Sequence, residues 1–320
     1  MYFIDLNSDL GEGAAFDSQI IPLITSANIA CGFHAGDSNI MNTTVALCKE
    51  NSVAFGAHPG YLDKENFGRT NMALSPEEVY NITLCQLGSL SAFAKAQGVK
   101  MQHVKPHGAM YNMAAKDMEM SLAIANAIKD FDSSLILLAL SGSKMIDAAK
   151  QVGIKYASEV FADRAYEADG SLRKRTLEGS MITDENEAIA RVIRMIKEGK
   201  VTAYTGEEVP IEAHSVCVHG DGEKALDFVR ALNKAFAEND IKTVPLSEVI
   251  GYCTLEHRQK LIWMPLNIIT TTLVPNCRRI ANFWELLKPM LTVTVPLSLQ
   301  DFWKINVISS VLLASRKPLN

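Results

Sequence analysis

Short apolar segments alternate with helix-like segments at least six times between residues 1 and 252. Such alternation favours parallel strands joined by right-handed crossover helices. Polar residues follow nearly every predicted strand, whereas an open sheet would concentrate them at one switch point. We therefore predict a β/α barrel of about seven strands over residues 1–252, with its functional site at the carboxyl ends of the strands.

The segment 104–112 shows how such a strand end is built, and it reads Val-Lys-Pro-His-Gly-Ala-Met-Tyr-Asn. Pro106 removes a ladder donor and disfavours helix at Lys105, so the preceding strand should end here. Gly108 allows a sharp turn or the close approach of a ligand. The segment therefore predicts that Lys105 and His107 are held at the rim of the sheet.

Composition excludes several classes of protein. The net charge of −5 gives no sign of a basic face for nucleic acid. Asp5 and Asp9 interrupt any apolar start, so no signal peptide is expected, and no apolar run reaches the roughly 18 residues of a membrane-spanning helix. Six cysteines without a CxxC pair favour reduced thiols and a cytoplasmic protein. No GxGxxG or GxxxxGKS motif supports the best-known nucleotide-binding folds.

The alternating pattern ends near Cys253. Residues 253–320 contain all three tryptophans and apolar clusters only about ten residues long, too short to span a bilayer. We expect an atypical C-terminal extension here. Two interpretations are equally supported: an irregular segment that is packed on the barrel or partly disordered, and the product of a frameshift or readthrough.

Asp9, His58 and His107 follow three different predicted strands. One carboxylate and two imidazoles form a plausible site for a divalent ion such as Zn²⁺ or Mn²⁺. No local HxxxH spacing fixes this assignment, so direct hydrogen bonding of the three side chains to a substrate is the alternative.

Two further glycine-rich strand ends pair an imidazole with a carboxylate: His34 with Asp37, and His219 with Asp221. A base oriented by a carboxylate, or backbone N–H groups that hold a phosphate, would use such loops. The alternative is that these pairs only order their loops.

Three cations, Lys105, Arg69 and Arg164, lie beside glycine or aromatic residues near strand ends. An enzyme acting on carboxylates or phosphates needs fixed positive charge, and Arg offers bidentate geometry. The run Arg-Lys-Arg at 173–175 is instead typical of a solvated loop. The residues interpreted as structural or exposed are His103, His214 and His257.

Six ordered blocks carry a more specific pattern: 5–12 (Asp-Leu-Asn-Ser-Asp-Leu-Gly-Glu), 26–37, 56–61, 105–112, 161–166 and 217–221. Together they resemble the LamB/YcsF family, the group of bacterial 5-oxoprolinase A subunits. The resemblance covers about residues 1–252 and implies a distorted seven-stranded β/α barrel of the glycoside hydrolase/deacetylase type. It also implies ATP-dependent opening of 5-oxoproline (pyroglutamate) to L-glutamate, together with two further subunits, B and C.

This chemistry needs a base for water, donors for a developing oxyanion, and cations for phosphate and carboxylate groups. The catalytic candidates are Asp9, Glu12, His34, His107 and His219. The substrate-binding candidates are Asn7, Asn28, Asp37, Arg69, Lys105, Asp163, Arg164, Tyr166 and Asp221. Related deacetylase-like barrels hold a divalent metal with one Asp and two His, which by resemblance are Asp9, His58 and His107. The expected cofactors are ATP, with Mg²⁺, and a divalent ion such as Zn²⁺ or Mn²⁺ at the barrel mouth.

Two other functions remain open. One is a metal-dependent deacetylase or amidohydrolase that works without ATP. The other is a non-catalytic protein that binds 5-oxoproline and delivers it to partner subunits.

Overall fold

The computed structural model of the chain describes residues 1–218 and 223–252. The extension predicted for residues 253–320 lies outside the described residues, as do His219 and Asp221. Residues up to Gly251 belong to one compact unit. No helix in the described part of the chain combines the length and the apolar character needed to cross a membrane.

Seven parallel strands close into a barrel. In barrel order they are β1 (Tyr2–Leu10), β2 (Ser26–Ala30), β3 (Ala54–His58), β4 (His103–Val104), β5 (Ile136–Leu140), β6 (Lys155–Phe161) and β9 (Ser215–Val218). The ring is closed because β1 pairs with both β2 and β9. This arrangement confirms the predicted seven-stranded barrel.

Within residues 1–218 and 223–252, three strands lie outside the ring. β7 (Lys200–Thr202) and β8 (Glu208–Pro210) form an antiparallel hairpin, which the sequence did not predict. β10 (Ile241–Thr243) pairs in parallel with the first residues of β1. β4 has only two residues, although Gln102 and Lys105, on either side of it, also donate backbone hydrogen bonds to β3.

Eight helices cover the strands or connect them in the described part of the chain. They are α1 (Asp17–Ile20), α2 (Ser38–Glu50), α3 (Pro76–Ala96), α4 (Gly108–Ala114), α5 (Met118–Asp132), α6 (Lys144–Val152), α7 (Glu185–Glu198) and α8 (Glu223–Glu238). The start of α3 has a capping box, in which Ser75 Oγ accepts from Glu78 N and the Glu78 carboxylate accepts from Ser75 N. Such a cap contributes about 1 kcal/mol to stability.

The two faces of β1 differ in polarity because side chains alternate along a strand. Ile4 and Leu6 are fully buried in the main apolar core. Asp5 and Asn7 alternate with them and bond to side chains of other barrel strands; for example, Ser26 Oγ donates to Asp5 Oδ1 at 2.5 Å. A buried polar network therefore links the strands below the barrel mouth.

Candidate active site

A cavity of about 830 Å³ opens among the residues that follow the barrel strands. This is where β/α barrels place their functional groups. Its ionisable lining residues are Asp9, Glu12, His58, Arg69, Lys105, His107, Tyr111, Lys116, Arg164, Lys174 and Arg175. The cavity thus brings together seven of the candidate site residues and adds four residues that were not among the candidates.

Three imidazoles surround the carboxylate of Glu12. Glu12 Oε1 lies 3.0 Å from His34 Nε2, 3.1 Å from His107 Nδ1 and 3.6 Å from His58 Nε2. The rings of His34 and His107 are stacked with 3.7 Å between their centroids, and His58 Nε2 is 2.9 Å from His107 Nδ1. All three imidazoles are buried. We call these four residues the Glu-His cluster.

Two glycines make room for the Glu-His cluster. A Cβ on Gly60 would lie 2.6 Å from His34 Nδ1, and a Cβ on Gly68 would lie 2.7 Å from His34 Cβ and 2.9 Å from His107 Cδ2. Gly68 also has a φ of +63°, a conformation that L side chains rarely adopt. The imidazoles can therefore pack this closely only because both positions lack a side chain.

Burial and neighbouring charges set the protonation of the Glu-His cluster. Burial alone would raise the pKa of Glu12, but hydrogen bonds from His107 and His34 and the charge of His58 lower it to about 2. Burial lowers the pKa of His34 to about 4, which keeps this ring neutral near pH 7. Burial also opposes a charge on His58, but the carboxylates of Asp9 and Glu12 raise its pKa.

Lys105 forms the centre of a second buried group. Its Nζ lies 2.8 Å from Asp9 Oδ1 and 2.9 Å from Glu159 Oε1, and it donates to Asn7 Oδ1 and Cys217 Sγ at 3.3 Å. Burial would lower the pKa of Lys105, but the charges of Asp9 and Glu159 raise it well above its usual value. The amine is therefore a fixed cation below the cavity.

Glu159 was not among the residues that the sequence singled out. It lies within β6, is fully buried, and accepts a 2.7 Å hydrogen bond from Tyr111 OH through Oε2. Most of the predicted site residues follow the strands, and none of them lies within β6. A single carboxylate near the end of a predicted strand was the signal that could have found it, because buried charges are normally paired.

Asp9 is oriented by a chain of side-chain hydrogen bonds. Asn28 Nδ2 donates to Asn7 Oδ1 at 2.7 Å and to Asp9 Oδ1 at 2.8 Å. Since the amide nitrogen of Asn28 donates to both, its oxygen accepts from His103 Nε2 at 2.7 Å. His103 is thus buried and structural rather than exposed.

The predicted metal ligands Asp9, His58 and His107 are only partly brought together. Asp9 Oδ2 lies 3.4 Å from His58 Nε2, but Oδ1 is held by Lys105. The group whose ligand atoms all lie within 4.8 Å of one another is the Glu-His cluster. The structure therefore places Glu12, rather than Asp9, among the imidazoles.

Arg69 and Arg164, two cations predicted to bind a substrate, line the cavity. The Arg69 guanidinium lies 4.9 Å from the centre of the Phe67 ring. Arg164 Nη2 donates to the carbonyl of Arg173 at 2.6 Å. Burial and the nearby charge of Arg175 lower the pKa of Arg164.

The basic run 173–175 is not simply a solvated loop. Lys174 and Arg175 line the cavity, while the Arg173 guanidinium stacks on Tyr204 at 3.7 Å and pairs with Glu167. Lys116, in the segment between α4 and α5, adds a further cation to the cavity lining.

Asp37 has a structural role that the sequence did not assign to it. Its Oδ1 accepts from Asn39 N and Ile40 N and so caps α2. His34 instead contacts Glu12. The predicted pairing of His34 with Asp37 is therefore replaced by pairing with a residue from the loop after β1.

Two other predicted substrate ligands, Asp163 and Tyr166, are not among the described residues that line the cavity. Tyr166 is fully buried, and its OH accepts a hydrogen bond from Phe161 N at 2.9 Å. This contact fixes the turn that follows β6.

Comparisons with known proteins show which sequences and structures the chain is similar to. Residues 4–251 match the model of the LamB/YcsF family. The 5-oxoprolinase A subunit of Clostridium beijerinckii is 54% identical over 254 residues, covering 78% of this chain and 100% of that protein. The 5-oxoprolinase A subunit of Campylobacter jejuni subsp. jejuni is 52% identical over 255 residues, with the same coverage.

A solved structure is also similar. The lactam utilization protein from Thermus thermophilus has a TM-score of 0.71 and 44% sequence identity, covering 75% of this chain and 98% of that one. Because a family model matches most of the chain and full-length relatives share half of its matched residues, the chain belongs to the LamB/YcsF family.

Proposed function

We propose that this chain is the A subunit of an ATP-dependent 5-oxoprolinase, which opens the lactam of 5-oxoproline to give L-glutamate. The names of relatives that match over their whole length support this function. The observation that carries it is the Asp9 carboxylate, paired with Lys105 at 2.8 Å beside a cavity that is also lined by further cations, among them Arg69 and Arg164.

A lactam carbonyl is a poor electrophile, so its oxygen must be activated. Transfer of the γ-phosphoryl group of ATP to that oxygen releases ADP and makes the ring carbon electrophilic. Water then adds to this carbon, the ring C–N bond breaks with the electron pair going to nitrogen, and nitrogen takes up a proton. The resulting acyl phosphate is hydrolysed by a second water to glutamate and phosphate.

Asp9 is the base that takes the proton from the attacking water. Its Oδ1 is held by Lys105 and Asn28, so we assign the proton transfer to Oδ2, which lies 3.4 Å from His58 Nε2. A positioned base contributes roughly 10²–10⁴-fold to rate.

The cavity cations bind the anionic parts of the reactants. Arg69 and Arg164 suit the substrate carboxylate, because a guanidinium can bind a carboxylate with two parallel hydrogen bonds. Lys116, Lys174 and Arg175 suit the phosphoryl group of ATP with its Mg²⁺. A cavity of about 830 Å³ is far larger than a five-membered lactam needs and leaves room for the phosphoryl donor.

The proposed function includes partners and a location. Since the relatives are named as A subunits, subunits B and C are expected to complete the enzyme. The described cysteines, which are all free thiols, are consistent with a reducing cytoplasm.

The test is reconstitution of the full chain with subunits B and C, followed by measurement of glutamate and phosphate formed from 5-oxoproline and ATP. Asp9→Asn should reduce glutamate formation at least about 100-fold. Asp227→Asn, which changes an exposed acid on α8, serves as the control and should leave the rate unchanged. Full activity of Asp9→Asn would remove Asp9 from the mechanism.

The Glu-His cluster favours one second candidate, a metal-dependent amidohydrolase that works without ATP. Omitting ATP from the same assay separates the two functions. Glutamate formation that requires ATP supports the 5-oxoprolinase, and formation at an equal rate without ATP supports the amidohydrolase.

A further inference from the structure

In both His58 and His107, the ring nitrogen that points away from the other imidazole is hydrogen-bonded to a backbone carbonyl. His58 Nδ1 lies 2.7 Å from Lys105 O, and His107 Nε2 lies 2.9 Å from Phe67 O. A carbonyl only accepts, so each of these ring nitrogens carries the hydrogen. In neutral rings, His58 Nε2 and His107 Nδ1 then face each other with lone pairs, at only 2.9 Å. Something positive must lie between or beside them.

This pattern is typical of metal-binding histidines. An imidazole that binds a metal usually donates its other N–H to a backbone carbonyl or a carboxylate, which fixes the tautomer and the ring orientation. Here two imidazoles from two strand ends do so independently, and their other nitrogens converge on Glu12.

The spacing of the donor atoms fits one small ion. Tetrahedral zinc with bonds of about 2.0–2.1 Å separates its ligand atoms by about 3.4 Å. The observed separations are of this order, and three of the four are shorter: 3.0, 3.1 and 3.6 Å from Glu12 Oε1 to the three imidazoles, and 2.9 Å between His58 and His107. All four residues offer ligand atoms within 4.8 Å of one another.

The types of donor atom indicate which metal ions the site can bind. Three imidazoles and one carboxylate suit Zn²⁺ and similar transition ions, whereas Mg²⁺ and Ca²⁺ prefer sets made of oxygen. Burial of the rings and the close packing allowed by Gly60 and Gly68 hold the donors in place before any ion binds.

We propose that Glu12, His34, His58 and His107 bind one divalent transition-metal ion of the Zn²⁺ type at the mouth of the barrel. Among the described residues, the group whose ligand atoms all lie within 4.8 Å of one another contains Glu12 and the three imidazoles but not Asp9, whose Oδ1 is held by Lys105 and Asn28. A bound ion would polarise a carbonyl or lower the pKa of a bound water. The site rests on the ligand geometry, so it stands whether or not the chain is a 5-oxoprolinase.

The test measures metal binding directly on the full chain. Protein stripped with a chelator is titrated with Zn²⁺ by calorimetry, and with Co²⁺ by visible absorption. We expect one ion per chain, the intense visible bands of tetrahedral Co²⁺, and binding at least about 100-fold weaker in Glu12→Gln and in His107→Gln. Glu65→Gln, which removes an exposed carboxylate from the loop after β3, is the control and should bind like the wild type.

Two results would overturn the proposal. One is the finding that the wild-type protein binds no more Zn²⁺ than Glu12→Gln does. In that case the positive group between His58 and His107 would be a shared proton rather than a metal ion. The other is a weak octahedral Co²⁺ spectrum. The spectrum of the wild type decides the question even if circular dichroism shows that a variant does not fold.

Discussion

Individual residues of the barrel interior combine charge with complete burial, and Glu159 is the clearest example. It pairs with Lys105 at 2.9 Å and accepts from Tyr111 OH. The sequence located Lys105 correctly because Pro106 marks the end of its strand. It missed Glu159 because nothing local to β6 indicates which side chains a closed barrel places opposite one another.

We predict that Glu159→Gln destabilises the protein. The variant keeps the size of the side chain but leaves the buried Lys105 with one carboxylate partner fewer, and breaking a buried ion pair costs about 3–5 kcal/mol when a charge is left unpaired. Since Asp9 remains, we expect about 2–3 kcal/mol, measured by urea unfolding.

Tyr111→Phe is the matched control for Glu159→Gln. It removes only the hydrogen bond to Oε2 and should cost about 0.5–1.5 kcal/mol. Equal effects of the two substitutions would mean that the charge of Glu159 contributes nothing beyond its hydrogen bonds.

Because Asp5 is buried, we predict that the stability of the protein depends on pH. Burial raises the pKa of Asp5 to about 6 from an ordinary value of 3.8. Between these values the folded state holds a proton that the unfolded state releases, so raising the pH from about 4 to about 6 destabilises the protein. The loss from this group is about 3 kcal/mol and is complete above about pH 6.

The measurement is the free energy of unfolding in urea at several pH values for the wild type and for Asp5→Asn. The variant lacks the titrating group, so the difference between the two proteins should change by about 3 kcal/mol across this range. A difference that stays constant with pH would show that Asp5 titrates alike in both states.

The elements of the barrel were more predictable than the contacts between them. The capping box at Ser75 and the glycine after α6 mark helix ends through local chemistry, and the structure has both. The hairpin β7–β8 was not predicted, because each of its two strands has only three residues. The sequence predicts that Lys174 and Arg175 are solvated. A run of charged residues does not indicate that its loop lines a cavity.

Gly68 lies in the loop after β3, and we predict that Gly68→Ala disrupts the Glu-His cluster. The new Cβ would meet both His34 and His107 within 3.0 Å, so the Glu-His cluster must move. We expect loss of Zn²⁺ binding, measured by calorimetry, and of activity. Destabilisation of at least about 1 kcal/mol should accompany them because of the positive φ.

Gly153→Ala is the control for this prediction. Gly153 also has a positive φ, +82°, but nothing lies within 4 Å of the position that a new methyl group would take. The control should lose about 1 kcal/mol of stability and keep the site intact. The interpretation fails if both variants affect the Glu-His cluster equally.

At the scale of the whole molecule, the closed ring of strands lies entirely within Met1–Gly251. The relatives from C. beijerinckii and C. jejuni are matched over their full length by about this much of the chain. The domain boundary near residue 252 stays a prediction, because the extension lies outside the described residues.

We predict that a chain ending at Tyr252 folds by itself. Its thermal unfolding, followed by circular dichroism, should be cooperative and should have a midpoint close to that of the full chain. A truncated protein without a cooperative transition would show that residues 253–320 are needed for the fold.

The pairing of β1 within the ring has a consequence for self-association. This strand joins β2 on one side and β9 on the other, so its removal would leave two rows of unsatisfied amide and carbonyl groups facing solvent. Unpaired strand edges of this kind pair with strands of neighbouring molecules. Ring closure by β1 therefore protects the protein against aggregation as well as supplying Asp9.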